Sequence, residues 1–306
     1  MVRRTLVVLI VALLSSTARG AADDTLYEFK QHLKDGQECA FLLSDSFTMS
    51  AELKANGIVL NRVMRDEATQ SKGRIKVLQS ENGAPTAEEV EIDKTSGWIS
   101  QKNGEPVKQQ AFLLSGKTVT VRRDPFGGVS CEVDGARDPK VTRVLRAWFN
   151  RDTDFYPDHP VRVGDKWEVS SKLHRHLGTL TVDDRMVAVS QLVSVHRSAH
   201  GHLLARVNVS SAMISQDKSG MLVDGTLEGQ VQIDLGSGRV LRFDLAGALA
   251  VSGTMDVIDR NGQHHLCAIS GDGKIEAHQL CKPLASVATT QPASNPEAAA
   301  GSATAN

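Results

Sequence analysis

Five histidines between residues 174 and 202 are the side chains whose type and spacing could bind a metal ion. They are His174, His176, His196, His200 and His202. Side chains two positions apart in a strand point to the same face, so His174 and His176 could share one ion. A hairpin turning near 198–201 could bring His196 next to His202. Zinc or copper would accept such ligands. No Asp, Glu or Cys completes a known ligand spacing, so solvent-facing strand and loop positions are the alternative interpretation.

The local signatures of enzymes are missing from the sequence. It has no Gly-x-Ser-x-Gly elbow, and no Ser-x-x-Lys followed by the other penicillin-binding motifs. The segment 271–274 (Gly-Asp-Gly-Lys) lacks the spacing and the following helix of a phosphate-binding loop, and it is typical of a turn. Because distant residues can still assemble a catalytic site, a metal-dependent hydrolase using the histidine-rich stretch 174–202 remains one hypothesis. The sequence favours a non-enzymatic protein with no cofactor.

Four cysteines suggest disulfides if the chain is exported: Cys39, Cys131, Cys267 and Cys281. Cys267 and Cys281 are nearest in the sequence and form the leading pair, with a hairpin turn predicted at 271–274. With Asp272 and Gly273 at the centre of that turn, Cys267 would face His278, so this pair would need a bulge or a frayed strand end. Buried thiols outside any disulfide are the alternative.

The first residues have the order of a signal peptide. Arg3 and Arg4 precede an unbroken apolar run at 6–14, and mostly small and polar residues follow. Small residues allow cleavage after Gly20 or Ala22, so residues 1–20 are the predicted signal peptide. This run and every later one are too short to cross a bilayer as a helix. We therefore expect an exported protein, periplasmic or extracellular, with no transmembrane segment in the mature chain.

Charge and composition exclude one class of partner. Without residues 1–20 the chain has 32 basic and 36 acidic residues, a net charge of −4. Nucleic-acid-binding proteins usually carry a basic excess, so nucleic acid is not an expected partner. Aromatic residues are only 4% of the chain, which leaves Val, Leu and Ile to form most of the core.

Alternating apolar and polar residues predict antiparallel strands over most of the chain. Between 44 and 135, Asn56-Gly57, Asn82-Gly83 and Asn103-Gly104 are dipeptides that hairpin turns prefer. Strand patterns return between 167 and 281. Two segments are predicted as helices instead. Residues 24–34 place Leu26, Phe29 and Leu33 on one helical face, and residues 138–149 have an Asp-Pro start and an apolar stripe that includes Trp148.

These patterns divide the chain into segments. After the signal peptide we expect an N-terminal helix and first β half at 23–136, a helix and connector at 137–166, a second β half at 167–282 and a disordered tail at 283–306. The strings 90–97 and 231–238 share a strand, an Asp, then Ser-Gly, which predicts a hairpin at both places. A duplication of the two halves and shared turn chemistry both explain this similarity.

The most distinctive segment is 160–167, Pro-Val-Arg-Val-Gly-Asp-Lys-Trp. It predicts a turn at Gly164-Asp165 and a strand opening at Trp167, whose large ring would close the end of a sheet. An aromatic at the mouth of a ligand site is the alternative. This segment, with the hairpin of Gly229 to Val240, resembles secreted bacterial β-rich proteins of unknown function over roughly residues 140–260. The resemblance implies export and a β fold, and no catalytic residues.

The predicted fold is mainly β, a β-dominated α+β protein with antiparallel meanders in two sheets or one large curved sheet and short helices near 24–34 and 138–149. The first functional hypothesis is a non-enzymatic exported protein that binds an apolar ligand, such as a lipid or an envelope component, on a concave sheet face. The second is an envelope interaction or scaffold protein with no ligand pocket and a large exposed apolar patch. The hydrolase is the third.

Overall fold

The computed structural model of the chain describes residues 24–101, 106–107, 114–124, 128–137, 155–169, 185–216, 222–258 and 262–284. The described residues contain strands and no helix. The predicted signal peptide, the predicted helix at 138–149 with Trp148, the turn dipeptide Asn103-Gly104, and the predicted tail beyond residue 284 lie outside the described residues.

Thirteen strands make one antiparallel sheet in the described part of the chain. They are β1 (Glu38–Ala55), β2 (Ile58–Glu81), β3 (Ala84–Gln101), β4 (Pro106–Val107), β5 (Lys117–Arg123), β6 (Val129–Val133), β7 (Ala136–Arg137), β8 (Lys166–Glu168), β9 (Arg185–Arg197), β10 (Leu203–Gln216), β11 (Leu222–Asp234), β12 (Arg239–Ile258) and β13 (His264–Pro283). Their order is β7-β6-β5-β3-β2-β1-β13-β12-β11-β10-β9-β8, and β4 pairs with β3. The prediction of a mainly β protein with one large antiparallel sheet is confirmed.

The two β halves join along β1 and β13. These strands pair antiparallel from Cys39 to Lys54, so the first and last long strands lie at the middle of the sheet. Burial alternates along much of the long strands, so one face of the sheet is buried and the other is exposed. On β1, for example, Cys39, Phe41 and Leu43 are buried and Leu42 between them is exposed. We call the buried face the inner face.

Glycines on the inner face let neighbouring backbones approach closely. A Cβ atom at Gly229 would lie 1.9 Å from the carbonyl oxygen of Asp244, and one at Gly247 would lie 2.0 Å from that of Thr226. A Cβ atom at Gly73 on β2 would lie 1.9 Å from the carbonyl oxygen of Glu91. Glycine inside a strand commonly marks a bend or a close backbone approach. These positions therefore allow the long strands to bend toward the inner face.

The predicted helix at 24–34 is wrong, since this segment is extended. Its backbone bonds to distant parts of the chain: Tyr27 and Val161 exchange N–H···O bonds of 2.8 and 3.0 Å. Phe29 and Leu33 are buried, whereas Leu26 is 57% exposed. Tertiary packing of two apolar side chains outweighs the weak intrinsic helix preference of a short segment. We call residues 24–37 the strap, and the end of the sheet that it crosses the strap end.

The strap shows that the sheet is strongly curled at this end. The consecutive amides of His32 and Leu33 donate to the carbonyls of Ser237 (2.8 Å) and Gly83 (2.9 Å). These carbonyls belong to the β11–β12 and β2–β3 turns, which are four strand spacings apart in the sheet order. A flat sheet would separate them by about 19 Å. Consecutive amide nitrogens are less than about 4 Å apart, so the two oxygens lie within about 10 Å of each other. The inner face is therefore the concave face.

The contact between the strap and the β2–β3 turn gives a stability prediction with a matched control. Gly57 and Gly83 both follow an asparagine in a hairpin turn, with φ of +80° and +82°. A Cβ atom at Gly83 would lie 2.3 Å from the Gln31 carbonyl oxygen, and one at Gly57 has nothing within 4 Å. We expect Gly57→Ala to cost about 1–2 kcal/mol for its backbone conformation alone, and Gly83→Ala to cost at least about 1 kcal/mol more. Urea unfolding measures the difference; equal losses would contradict the strap contact.

Two predicted turns are wrong. Residues 271–274 lie inside the continuous strand β13, and residues 93–97 lie inside β3. Only the second of the two similar strings forms a turn, at 235–238, so the shared residues do not mark equivalent hairpins. The hairpin turns predicted at Asn56-Gly57 and Asn82-Gly83 are confirmed, with both asparagines at φ +51°.

Candidate functional site

The inner face is a largely apolar surface that spans most of the sheet. Its middle part is formed by alternate residues of β11, β12 and β13. Buried members of this part are Val223, Leu227, Val231, Leu245, Leu249, Val251, Ile275 and Ala277. All of them belong to one core cluster that also includes Phe29 of the strap. The opposite face of these strands is mostly polar, as Glu228, Arg242 and Glu276 illustrate. The sheet is thus amphipathic, with its apolar side inside the curl.

Aromatic side chains fill the strap end of the inner face. The Phe29 ring lies 5.8 Å from the Trp167 ring and 6.1 Å from the Tyr156 ring, and Phe155 lies 6.2 Å from Phe243, between ring centroids. Trp167 is 6% exposed, and its indole Nε1 donates a 3.0 Å hydrogen bond to the Phe155 carbonyl oxygen. The tilted rings and the satisfied indole N–H are favourable for a buried cluster. Trp167 thus lies in the packed strap end.

The turn before Trp167 holds this part of the chain against β9. Gly164 has φ +99°, which favours glycine. Its amide donates to the Leu192 carbonyl at 2.7 Å, and the Asp165 carboxylate accepts from the Arg162 amide at 2.8 Å. Both residues therefore serve the turn that leads into β8.

Polar side chains interrupt the inner face on β1 and β2. Asp45 faces Thr69, and Phe47 faces Glu67, all on the inner side. The Arg65 guanidinium donates to the Glu67 carboxylate, whose side chain is only 17% exposed. A second pair, Arg123 and Glu88, lies at 3.4 Å further along the face, where Glu88 is 6% exposed. Paired charges tolerate burial far better than single charges. We call Asp45, Arg65, Glu67 and Thr69 the polar strip.

The histidines are spread over the β9–β10 hairpin and a segment outside the described residues. His174 and His176 belong to that segment. The hairpin turn predicted near 198–201 is confirmed, since the Gly201 amide donates to the Ser198 carbonyl at 3.0 Å. His196 faces Leu204 on β10, and His200 lies in the turn. Within the described residues, no group of three or more His, Cys, Asp or Glu side chains has the geometry of a metal site.

His202 instead contacts a structural carboxylate. Its Nδ1 lies 3.5 Å from Oδ2 of Asp234, which is 3% exposed. The Asp234 carboxylate also accepts from the Gly236 amide (3.0 Å) and the Ser237 hydroxyl (2.7 Å). An aspartate that accepts from its own turn residues stabilises the turn, here the β11–β12 turn that bonds to the strap.

The cysteines do not have the leading predicted pairing. Cys267 and Cys281 occupy the same strand, β13. They are fourteen positions apart along this strand, a distance of about 46 Å, which excludes a disulfide between them within one chain. The predicted pairing required a hairpin turn at 271–274, but β13 is continuous through these residues. All four cysteines are buried, and none of the four is in a disulfide. Cys39 Sγ accepts from Nη1 of the buried Arg239 at 2.9 Å.

Sequence patterns did not reveal the buried ionic groups. Glu88 directly precedes Glu89, and two adjacent acidic residues are typical of a solvated edge, yet Glu88 is buried. Arg239 is 4% exposed beside Cys39, two hundred positions away in the sequence. Only the strand pairing creates these contacts. The one available signal is the alternation of side chains, which places Glu88 on the same face as Val90.

Charges on the outer face pair with each other in contact with solvent. Asp244 accepts a hydrogen bond from Arg242 and contacts His278 Nδ1 at 3.0 Å. Burial alone would raise the pKa of the Asp244 carboxyl, but the hydrogen bonds and charges of Arg242 and His278 outweigh it and hold the pKa below its ordinary value. The outer face here is a hydrated, charged surface.

Comparisons with known proteins give no family. No family model matches the chain, and no curated protein matches it. Among solved structures, lipovitellin, described for its lipid–protein interactions, is 8% identical over 81% of this chain, with a TM-score of 0.39. This chain spans a quarter of that one (25%). An outer membrane channel from Pseudomonas putida F1 is 8% identical, covers 86% of this chain and 100% of its own, and has a TM-score of 0.18. Similarity at this level assigns no function.

No helix that is long and apolar enough for a membrane span occurs in the described ranges.

Proposed function

We propose that this chain is an exported, non-enzymatic protein, periplasmic or extracellular, that binds an apolar ligand such as a lipid or an apolar part of an envelope component. The observation that carries the proposal is the amphipathic, curled sheet, whose apolar face is concave and extends over β1 and β11–β13. Ligand sites in proteins are mostly concave and apolar, with a few polar groups that orient the ligand. The export signal predicted at residues 1–20 supports the location.

The half of the inner face away from the strap is the better place for a ligand. At the strap end, the aromatic cluster fills the space, and all of its rings except that of Tyr156 are nearly fully buried. Away from it, Phe47 and Met49 on β1 are only partly buried and pack against the core cluster from its margin. Transfer of a methylene group from water to such a surface is worth about 0.8 kcal/mol, so a long acyl chain would bind by burial alone.

The polar strip gives the ligand an orientation. It lies beside Phe47 and Met49, since Glu67 faces Phe47 and Arg65 faces Met49. An Arg–Glu pair with a neighbouring Asp can bind both signs of a zwitterionic or hydrogen-bonding head group. An amphiphile would place its head at the polar strip on β1 and β2 and its chain toward Leu249 and Val251 on β12. A purely hydrocarbon ligand would leave the strip unused.

The test is native mass spectrometry of the mature protein from its own export compartment, before and after denaturation. We expect extra mass that is lost on denaturation. The released ligand should be recovered when the denatured sample is extracted with an apolar solvent. Met49→Arg puts a charge on the inner face and should remove most of it, whereas Thr48→Arg, at the exposed neighbouring position, should not. A bare-chain mass for the unmodified protein, or equal loss in both variants, would contradict ligand binding on this face.

The second candidate is an envelope interaction protein without a ligand pocket. The observation that favours it is a group of large apolar side chains exposed at the end of the sheet opposite the strap. Monomeric soluble proteins rarely expose contiguous apolar surface without a function for it. A bare-chain mass in the experiment above would make this candidate the better explanation.

A further inference from the structure

Exposed apolar side chains gather at the end of the sheet opposite the strap, which we call the distal end. Seven large ones lie there on β2, β12 and β13: Ile58, Val59, Leu60, Met64, Met255, Ile258 and Leu266. Three of them are among the most exposed apolar residues described, Leu266 at 73%, Ile58 at 68% and Ile258 at 60%. Isolated exposed leucines are normal on protein surfaces, but a group of seven at one end is not.

Four consecutive strands bring these side chains together. β2, β1, β13 and β12 are neighbours in that order, so the β1–β2 and β12–β13 hairpins lie side by side. The register pairs Lys54 of β1 with Ala268 of β13, and β13 extends beyond that point to His264. The β12–β13 hairpin therefore protrudes past β1. The four strands span about 14 Å, so these side chains form a row across the two hairpin ends, with Met64, which faces Ser50, farther from the tip on β2. We call this row the distal rim.

Charged side chains at the distal rim neutralise one another. Glu52 contacts Lys54 Nζ at 2.8 Å and Arg62 Nη2 at 3.0 Å. The hydrogen bond from Lys54 is the largest cause that holds the pKa of Glu52 below its ordinary value. Asp256 contacts His264 Nδ1 at 2.6 Å. The described part of the rim therefore carries no large excess of either sign, and attraction to a charged surface cannot be its main driving force.

The form of the rim favours a lipid bilayer over a protein as the occupant. A stable protein interface needs roughly 800 Å² of complementary surface on each partner. A narrow row of hairpin ends, with apolar side chains projecting from both faces of the sheet, offers no flat face of that kind. It fits a deformable apolar phase, into which separate side chains can enter. Binding of a protein to a bilayer surface scales with the apolar area that it buries there, so exposed apolar side chains can supply it without a basic patch.

We infer that the distal rim inserts into the surface of a lipid bilayer by apolar contact, without selection for anionic lipids. The contact places the sheet with its distal end at the membrane and its strap end away from it. The inference does not rest on the ligand proposal, because the rim residues lie at the sheet end and the ligand surface lies inside the curl.

Vesicle flotation of the mature protein tests this inference. The probes are vesicles of phosphatidylcholine alone and of phosphatidylcholine with phosphatidylglycerol. We expect equal flotation with both, unchanged by high salt. The double variant Ile58→Ser with Leu266→Ser should reduce the bound fraction about tenfold or more, since binding of this kind scales with buried apolar area.

The matched control is Leu42→Ser with Leu280→Ser. These two leucines face each other on the outer face near the strap end and are 37% and 49% exposed. The control should float like the unmodified protein, and all variants should keep its unfolding midpoint. If the first double variant does not fold, Met255→Ser with Ile258→Ser removes apolar surface from the neighbouring hairpin.

Three results would overturn the inference. They are the absence of flotation with either vesicle, flotation only with phosphatidylglycerol that high salt abolishes, and flotation that rim substitutions leave intact. Self-association in sedimentation experiments that the rim variant abolishes, without flotation, would also overturn it and would assign the rim to contact between copies of the chain. Ligand mass in native mass spectrometry is an independent measurement, because the rim variants leave Phe47, Met49 and the polar strip unchanged.

Discussion

Trp167→Ala is expected to lower the free energy of unfolding by about 3–5 kcal/mol, the usual cost of truncating a large buried aromatic residue. Trp167 is 6% exposed and lies against Phe29, so its removal would leave a cavity between the strap and the sheet. It would also leave the Phe155 carbonyl oxygen without the indole donor at 3.0 Å. Urea unfolding of the purified mature protein, monitored by circular dichroism, gives the difference.

Trp167→Phe separates the two contributions. It retains a buried aromatic ring but removes the N–H donor and part of the indole, so we expect a loss of about 1–3 kcal/mol from the lost hydrogen bond to the buried carbonyl and the smaller ring. Lys166→Ala and Glu168→Ala are the matched controls, because both positions are exposed in the same short strand. Their effects should stay within about 0.5 kcal/mol. A loss for Trp167→Ala as small as that of these controls would contradict a packed strap end.

Gly247→Val is expected to cost more than about 3 kcal/mol or to prevent folding, because backbone atoms already occupy the space that a side chain would need. A Cβ atom at Gly247 would lie 2.0 Å from the Thr226 carbonyl oxygen and 3.1 Å from the Leu227 Cα atom. Backbone atoms of a paired strand cannot move aside as a flexible side chain can. Expression yield and the urea midpoint of the purified protein measure the effect.

Ala246→Val is the control for this substitution. Ala246 precedes Gly247 on β12 and is exposed on the outer face, so the added methyl groups project into solvent. Valine is also a good strand residue, and we expect a change within about 0.5 kcal/mol. If Gly247→Val were as well tolerated as Ala246→Val, the close approach of β11 and β12 would be wrong, and with it the role of glycine in bending the sheet.

The errors of the sequence analysis come from one kind of ambiguity. Asn56-Gly57 and Asn82-Gly83 were correctly predicted as turns, since asparagine followed by glycine readily adopts two positive φ angles. Gly271 and Gly273 were also assigned to a turn, but they lie in β13, two positions apart on the inner face. Cβ atoms there would lie 2.3 and 2.4 Å from the carbonyl oxygens of Ser50 and Thr48 on β1. Glycine serves turns and close strand packing equally well, and local sequence does not distinguish them.

The wrong helix and the wrong disulfide have related causes. Phe29 and Leu33 are four positions apart, which suits one face of a helix, but an extended strap can also bury both residues. Whether this segment is helical or extended depends on the carbonyls of Gly83 and Ser237, which accept hydrogen bonds from the strap. These carbonyls become available only when two distant hairpin turns come together. Cys267 and Cys281 were paired because a turn was assumed between them. Once β13 is continuous, strand geometry alone separates them.

By itself, the sequence determined the strand-rich composition, the alternation that makes one face of the sheet apolar, and the two Asn-Gly turns. These are local properties, set by side-chain type, by the two-residue period of a strand and by allowed backbone angles. The tertiary structure alone decided the pairing of β1 with β13, the curl at the strap end, the polar strip inside it and the distal rim. Each of these depends on strand register, which brings together residues as distant as Lys54 and Ala268 and which no short stretch of sequence specifies.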